Sequence, residues 1–159
     1  MILSAQTIRY RHHELLKQGQ KGLVEPFCER ATFMGMSYGL SSAGYDVRVA
    51  ENLSLYPQAF MLASTFEHFN IPDWLVGRVC DKSSWARQGL TVQNTVLEPG
   101  WSGYLTLELT NHSQNVIELK TGQPIAQILF EMLDKPTSLP YQGKYQNQES
   151  GPQVARFEK

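Results

Sequence analysis

Short apolar stretches separated by turn residues run along the chain from about residue 44, and this pattern restricts the fold more than any other feature. Residues 103–109 alternate between the two faces of a strand, with leucines at 105, 107 and 109 on one face and Tyr104, Thr106 and Glu108 on the other. Similar stretches lie at residues 45–49, 59–62 and 125–130. Many short strands with Gly and Pro between them predict a mostly β fold, either a barrel or a sandwich.

One helix is predicted ahead of these strands, over residues 4–18. Ser4 can cap its first turn, and Gly19 can end it. The neighbours His12 and His13 point apart on such a helix, and we expect both to face solvent.

The last part of the chain, from Asp134, is rich in Gln, Gly, Pro and Ser and has almost no aliphatic residues. Such a tail cannot bury itself, so it is expected to be disordered or to be ordered by a ligand or a neighbouring subunit. We therefore predict a barrel domain with its helix at residues 1–133, and a C-terminal lid or tail at residues 134–159 that closes over a ligand.

Composition narrows the classes of function. A chain of 159 residues fits one domain, and its formal net charge of -1 excludes a broad basic surface for nucleic acid. Its apolar runs fall short of the roughly 20 residues of a membrane span, and its start lacks the features of a signal peptide. The two cysteines, Cys28 and Cys80, are too few for a disulfide framework. We expect a cytoplasmic protein without a membrane or nucleic-acid partner.

The densest polar stretch is residues 81–87, Asp-Lys-Ser-Ser-Trp-Ala-Arg. Two cations and two hydroxyls within six residues suit the binding of an oxyanion, because Lys and Arg supply charge while Ser supplies directional donors. A solvated turn at the start of a short helix has the same composition, so both interpretations stay open. The phosphate loop Gly-x-x-x-x-Gly-Lys is absent from the sequence.

Glu108 also has two interpretations. On an open face it is a routine surface carboxylate, whereas in a cleft its pKa would rise and it could serve as a general acid and base. The nearby Glu98-Pro99-Gly100-Trp101-Ser102-Gly103 is typical of a hairpin connection, or of a loop that holds a flat ring.

The sequence lacks the features of a zinc deaminase. Its four histidines have no metal-ligand spacing, and the signature His-x-Glu with a later Pro-Cys-x-x-Cys is missing. Any deamination by this chain is therefore expected to proceed without zinc.

Four ordered stretches resemble the motifs shared by dUTPases and dCTP deaminases. They are residues 41–48 (Ser-Ser-Ala-Gly-Tyr-Asp-Val-Arg), 77–87 (Gly-Arg-Val-Cys-Asp-Lys-Ser-Ser-Trp-Ala-Arg), 97–103 (Leu-Glu-Pro-Gly-Trp-Ser-Gly) and 122–130 (Gly-Gln-Pro-Ile-Ala-Gln-Ile-Leu-Phe). The resemblance implies a dUTPase-like distorted β-barrel or jelly roll with a short N-terminal helix. It also implies a homotrimer whose active sites lie between subunits.

Within this superfamily, the chain looks more like the dCTP deaminases than the dUTPases. The second motif of the deaminases reads basic-Ser-Ser-x-Ala-Arg, and Ser84 stands here where dUTPases commonly have Gly. A glutamate in a Leu-Glu context follows their third motif, as Leu107 and Glu108 do here. The tail around Lys144 and Gln148 looks like the deaminase lid rather than the Gly-rich arm of dUTPases.

This resemblance implies a role for each matching residue. Glu108 would be the general acid and base of the deamination, with Ser83 and Arg87 orienting the water. The triphosphate, accompanied by Mg²⁺, and the nucleoside would be bound by residues of the second and third motifs, the catalytic strand, the fourth motif and the tail: Lys82, Ser84, Trp85, Ala86, Glu98, Thr106, Leu107, Gln127, Tyr141, Lys144 and Gln148.

Two other functions stay open at this point. The first is a dUTP diphosphatase, or a bifunctional enzyme, because the carboxylate of the third motif can activate a water near the α-phosphate. The second is a non-catalytic nucleotide-binding regulator. Three departures from the deaminase pattern bear on this choice, namely Lys82 where Arg is usual, Glu98 where Asp is usual, and a shorter segment at residues 92–96.

Overall fold

The computed structural model describes residues 1–157 of the chain. Two helices and twelve strands follow one another in this part. Their bounds are α1 Ala5–Lys17, β1 Val24–Glu25, β2 Ala31–Phe33, β3 Met36–Ser41, β4 Gly44–Arg48, β5 Leu53–Leu55, β6 Phe60–Asn70, β7 Leu75–Asp81, α2 Ser83–Ala86, β8 Leu90–Val92, β9 Val96–Leu97, β10 Ser102–Asn111, β11 Ile117–Leu119 and β12 Pro124–Met132.

The strands form three antiparallel sheets, so the prediction of a mostly β fold is confirmed. The largest has the order β2-β3-β4-β12-β7-β9, the second has the order β1-β6-β10-β8, and β11 pairs with β5. The two larger sheets share one hydrophobic core, to which β4 and β12 contribute from one side and β6 and β10 from the other. Tyr45, Phe69, Leu107 and Phe130 are among its fully buried side chains.

Helix α1 begins and ends within one residue of its predicted bounds. Its last turn closes at Gly19, where φ is +73° and where the backbone N–H donates to the carbonyl of Leu16. The prediction that His12 faces solvent is wrong, because this side chain is only 4% exposed. His12 shares the inner face of the helix with Ile8 and Leu15, as helical periodicity requires.

Strands β6 and β10 form the longest pairing of the second sheet, and an irregularity in this pairing shapes the polar face of β10. Tyr104 pairs with His68 but Thr106 pairs with Ser64, so β6 has two extra residues at this point. There the backbone N–H of Leu105 donates to the hydroxyl of Thr65 at 3.0 Å. As a result, Leu105 contributes to the same cavity wall as Thr106, although strict alternation would place the two on opposite faces.

Residues 98–103 do not form the hairpin connection that their composition suggests. They join β9, which pairs with β7, to β10, which pairs with β6 and β8, so this turn links the two larger sheets. The backbone N–H of Trp101 donates to the carbonyl of Glu98, and Gly100 has a φ of +87°. Pro99 and Gly100 occupy the central positions that suit a type II turn.

The tail is ordered against the barrel of its own chain, whereas its composition predicts either disorder or ordering by a ligand or a neighbouring subunit. The indole N–H of Trp101 donates to the carbonyl of Tyr145 at 2.7 Å, and the backbone N–H of Tyr104 donates to the carbonyl of Gln148 at 2.9 Å. In both contacts the acceptor is a backbone carbonyl of the tail, so they do not depend on aliphatic side chains in the tail. The last two residues of the predicted lid, 158 and 159, lie outside the described residues.

Candidate active site

A cavity of about 500 Å³ lies on the polar face of β10, and it is called the Glu108 cavity below. Strands β6 and β10 form its floor, the segment at residues 95–101 forms one side, and the tail forms its roof. The lining residues are Phe60, Leu62, Leu105, Thr106 and Glu108 from the strands, Thr95, Val96, Glu98 and Trp101 from the side, and Tyr141, Tyr145, Gln148, Gln153, Val154 and Ala155 from the tail.

The carboxylate of Glu108 is half-buried in this cavity. Its backbone carbonyl accepts a hydrogen bond from the N–H of Gln93 at 3.0 Å, which fixes the strand at this point. Its Oε2 is buried and has no hydrogen-bond partner among the described residues. Burial raises the pKa of Glu108 because the charged form loses hydration, and such a group is suited to exchanging protons with a bound molecule.

Thr106 faces the same cavity one step along the polar face of β10. Its Oγ1 accepts a hydrogen bond from Nε2 of Gln148 at 2.6 Å and another from the backbone N–H of Gln153 at 3.0 Å. Two separate segments of the tail therefore meet at one side chain of the strand that carries Glu108.

The structure brings five of the residues predicted for the site together. Two come from β10, one from the turn between the larger sheets and two from the tail, and all five line the Glu108 cavity: Thr106, Glu108, Glu98, Tyr141 and Gln148. Among the described residues, the carboxylates that line this cavity are those of Glu98 and Glu108.

The residues of the second motif lie elsewhere in the same chain. Ser83 and Ser84 are exposed on helix α2, and Arg87 is exposed directly after it. Arg87 lines a different cavity, of about 540 Å³, together with Ser113 and Glu118 among others. Within one chain, therefore, neither Ser83 nor Arg87 lines the cavity that contains Glu108.

Lys82 and Gln127 are engaged with other side chains of the barrel. The ammonium group of Lys82 is 2.8 Å from Oδ2 of Asp46, and Lys82 is only 8% exposed. The amide of Gln127 donates to the hydroxyl of Ser41 at 2.9 Å. Gln127 and Asp46 line a third cavity, of about 400 Å³, which is separate from the Glu108 cavity.

The four remaining predicted residues contribute no lining to the Glu108 cavity. Leu107 is fully buried in the core, and Trp85 is buried with its indole N–H bonded to the carbonyl of Pro124 at 2.7 Å. Ala86 is exposed on α2. Lys144 is exposed in the tail, where its ammonium group lies 5.5 Å from the ring centre of Tyr145.

Sequence reasoning missed Trp101, Tyr145 and Gln153 as lining residues. Trp101 belongs to the turn whose composition is also typical of a loop that holds a flat ring, so composition offers a signal for it. Tyr145 and Gln153 lie in a segment without periodicity, and only the path of the tail over β10 brings them to the cavity.

Residues 1–157 contain neither a cluster of metal-ligating side chains nor a helix that could span a membrane. This part of the chain has no group of three or more His, Cys, Asp and Glu side chains that could hold a metal ion. In the same residues, neither helix has the length and apolar character needed to cross a bilayer.

The resemblance of the four motifs agrees with a comparison to known families. The model of the dCTP deaminase-like family matches residues 42–133, which is more than half of the chain. The chain belongs to the dCTP deaminase family. The resemblance that the motifs indicated is thereby confirmed.

Individual members of the dCTP deaminase family match over most of the chain. The dCTP deaminase of Acidobacterium capsulatum is 34% identical, over 84% of this chain and 91% of that protein. The dCTP deaminase of Roseiflexus castenholzii is 35% identical, over 80% of this chain and 87% of that protein.

Solved dUTPases share the fold. EIAV dUTPase has a TM-score of 0.55 and 25% identity, covering 65% of this chain and 87% of its own. A mutant dUTPase from phage phi11 of S. aureus has a TM-score of 0.56 and 17% identity, covering 75% of this chain and 92% of its own. The dUTPase-like fold expected for a member of the dCTP deaminase family is therefore confirmed.

Proposed function

We propose that the chain catalyses the zinc-independent hydrolytic deamination of dCTP to dUTP and ammonia. The observation that carries this proposal is Glu108, a partly desolvated carboxylate that lines a cavity of about 500 Å³ and whose Oε2 has no partner among the described residues. Relatives named dCTP deaminase, at 34% and 35% identity over most of the chain, support the same reaction.

In the proposed reaction, Glu108 moves protons between water and the cytosine ring. The carboxylate takes a proton from water as the oxygen attacks C4, and it delivers that proton to N3. It then carries the proton of the new C4 hydroxyl to the amino group, the C4–N bond breaks, and ammonia leaves as the C4 carbonyl forms. Proton transfer by a positioned side chain is typically worth about 10²–10⁴-fold in rate.

The nucleotide would be held by residues on several elements. Glu98 is suited to the sugar hydroxyl, while Tyr141 and Gln148 in the roof are suited to the triphosphate, with Ser84 and Lys144 adding exposed donors. Closure of the tail would exclude water and strengthen these polar contacts. The side chains of Leu107, Trp85 and Ala86 do not line the cavity, so any contribution of these residues would come from their backbone and packing.

The predicted Mg²⁺ fits this site as an ion carried by the phosphates. Glu98 and Glu108 are the carboxylates in the described lining, which is too few for a cage made by protein alone. When bound, the ion would neutralise phosphate charge. The phage phi11 dUTPase structure is described as revealing the coordination of a structural Mg(II) ion, which is consistent with a metal in this superfamily.

A homotrimer would complete the site. Ser83 and Arg87 are exposed, and neither lines the Glu108 cavity of its own chain. A neighbouring subunit could present them to the open side of that cavity, where Ser83 would orient the water and Arg87 would stabilise the charged carboxylate. Lys82 and Gln127 would then act from the same neighbour, with Lys82 sharing its charge between phosphate and Asp46. We further propose that this assembly works in the cytoplasm.

A dUTP diphosphatase activity, alone or beside deamination, is the second candidate. Glu98 lines the same cavity as Glu108, so two carboxylates are available to activate water at two positions. A non-catalytic regulator is less well supported, since binding alone gives no reason to keep a partly desolvated carboxylate without a partner.

The direct test is to separate by chromatography the products formed from dCTP and from dUTP. The account predicts dUTP and ammonia from dCTP, and activity that persists after zinc chelation when Mg²⁺ is supplied. Formation of dUMP from dUTP would add the second activity. Absence of any product from dCTP, or a loss on chelation that zinc alone restores, would contradict the proposal.

A further inference from the structure

The C-terminal segment at residues 149–157 is attached to the barrel at one polar point. Among the described residues, the one hydrogen bond that joins this segment to a strand runs from the backbone N–H of Gln153 to Oγ1 of Thr106, at 3.0 Å. Its other hydrogen bonds stay within the tail, where the backbone N–H of Arg156 donates to the hydroxyl of Tyr145 and its guanidinium donates to the carbonyl of Lys144.

The Thr106 hydroxyl is saturated as an acceptor. A hydroxyl oxygen accepts two hydrogen bonds, and here both come from the tail, one from Gln153 and one from the side-chain amide of Gln148 at 2.6 Å. A nucleotide donor therefore has no free lone pair to bind at this atom while the tail is closed. Thr106 can therefore bind a further group only by donating its single hydroxyl hydrogen.

The position of Thr106 gives this attachment a consequence for the site. Thr106 lies two residues before Glu108 on the same face of β10, and both line the same cavity. The roof of the cavity includes Gln153, Val154 and Ala155. These residues are held to β10 by the hydrogen bond from Gln153 to Thr106.

We infer that Thr106 is a positioning residue that latches the tail over the Glu108 cavity. This assignment differs from the nucleoside contact that the family resemblance implied for the same residue. The latch rests on the contacts of the protein alone, and only its kinetic consequence rests on the proposed function.

Hydrogen exchange in the full chain without nucleotide tests the latch directly. Thr106→Val keeps the shape of the side chain but removes the acceptor, whereas Thr106→Ser keeps the acceptor. Thr110 lies on the same strand and makes no side-chain hydrogen bond with any described residue, so Thr110→Val is the matched control.

The amides of Gln153 and Arg156 should exchange about tenfold faster in Thr106→Val, because local opening costs less free energy once the acceptor is lost. Both amides should keep parent rates in Thr106→Ser and Thr110→Val. The amide of Asn147 bonds to the carbonyl of Ser102, so it should change little in all three variants. Parent rates for Gln153 and Arg156 in Thr106→Val would overturn the latch.

Steady-state kinetics with dCTP provide the second arm. Thr106→Val should raise KM by about tenfold and change kcat by less than about threefold, because Glu108 is untouched, and Thr106→Ser should restore KM. A raised KM with unchanged amide exchange would mean that Thr106 binds the nucleotide itself, which contradicts the latch. If the parent shows no deamination but the amides respond as described, the latch stands and the proposed function fails.

Discussion

Glu108 is a carboxylic acid whose surroundings favour the protonated form. Burial on the polar face of β10 raises its pKa, and none of the described residues donates a hydrogen bond to Oε2. An acid shifted toward neutral pH gives up and takes back a proton more readily than an exposed glutamate does. The burial of Glu108 lowers the stability of the folded chain, because water solvates an ionised carboxylate better than the cavity does.

The pH dependence of both activity and stability follows from this shift. The proposed mechanism needs the ionised Glu108, so kcat/KM for dCTP should fall as pH decreases through the raised pKa. The free energy of unfolding changes in the opposite sense. Below the unfolded pKa of Glu108 the buried carboxyl is neutral and costs little, and this stabilisation is lost as pH rises through the raised pKa of the folded state.

Thermal melting of the parent and of Glu108→Gln, from acid to neutral pH, measures the stability part of this prediction. The melting temperatures of the two proteins should differ least at acid pH. At neutral pH, the variant should be as stable as the parent or more stable. A variant that loses stability specifically at neutral pH would show that the carboxylate makes favourable contacts in the folded chain.

Helix α1 packs on the barrel through a buried imidazole, that of His12. The ring of His12 stacks on Phe27 with centroids 4.2 Å apart, and its Nδ1 is buried without a partner in the described chain. Gly22 has to be glycine at this contact, because a Cβ there would lie 2.2 Å from Cε1 of His12. Burial lowers the pKa of His12, with a further decrease from His13 and an opposing effect of Glu25.

Acid should therefore loosen the packing of α1. The stabilisation of the fold by neutral His12 is fully present above the unfolded pKa of this residue. It is lost as pH falls through the lowered pKa of the folded state. Melting temperatures at pH 8 and pH 5.5 should drop less on acidification in His12→Leu than in the parent, with His13→Leu as the exposed control. An equal drop in the parent and His12→Leu would exclude His12 as the cause.

The tail is the second element, and we expect its role to be separable from that of the barrel. Truncation after Asp134 removes the roof of the Glu108 cavity but leaves every strand in place, because β12 ends at Met132. We expect cooperative melting to persist while KM for dCTP rises by about tenfold or more. The measurement is a melting curve with kinetics on the truncated chain, and a truncated chain that fails to melt cooperatively would show that the tail belongs to the core.

Strand β10 shows how much of the site is predictable from sequence. Alternation alone predicts that Thr106 and Glu108 share a face, since that property is local. The contribution of Leu105 to the same wall depends on two extra residues in β6, and the pairing of Lys82 with Asp46 joins residues 36 positions apart. The burial of His12 depends on Gly22 and Phe27 in the same way. Periodicity carries no information about such contacts.

At the scale of the whole molecule, the proposed site has two parts that one chain does not unite. One part is the Glu108 cavity with its roof, and the other is the exposed second motif around α2. Closed rotational symmetry can bring such parts together, because every subunit then donates one surface and receives the other. The homotrimer implied by the motifs is such an arrangement.

Mixed trimers test this arrangement. Glu108→Gln and Arg87→Ala should each be nearly inactive alone. When the two are unfolded, mixed and refolded together, roughly a quarter of the sites should combine an intact Glu108 with an intact Arg87 from its neighbour. Sedimentation should report a trimer for parent and mixture alike, and a mixture with no recovered activity would indicate that each site is built within one chain.

The most direct test of the central claim compares Glu108→Gln and Glu98→Gln on both dCTP and dUTP. Glu108→Gln keeps the size and hydrogen bonding of the side chain but removes the proton acceptor, so nucleotide binding should persist while deamination of dCTP falls by at least about 100-fold. Glu98→Gln should chiefly weaken binding. Near-normal deamination of dCTP by Glu108→Gln would contradict the account. So would a result in which the only effect of the two substitutions is that Glu98→Gln loses hydrolysis of dUTP.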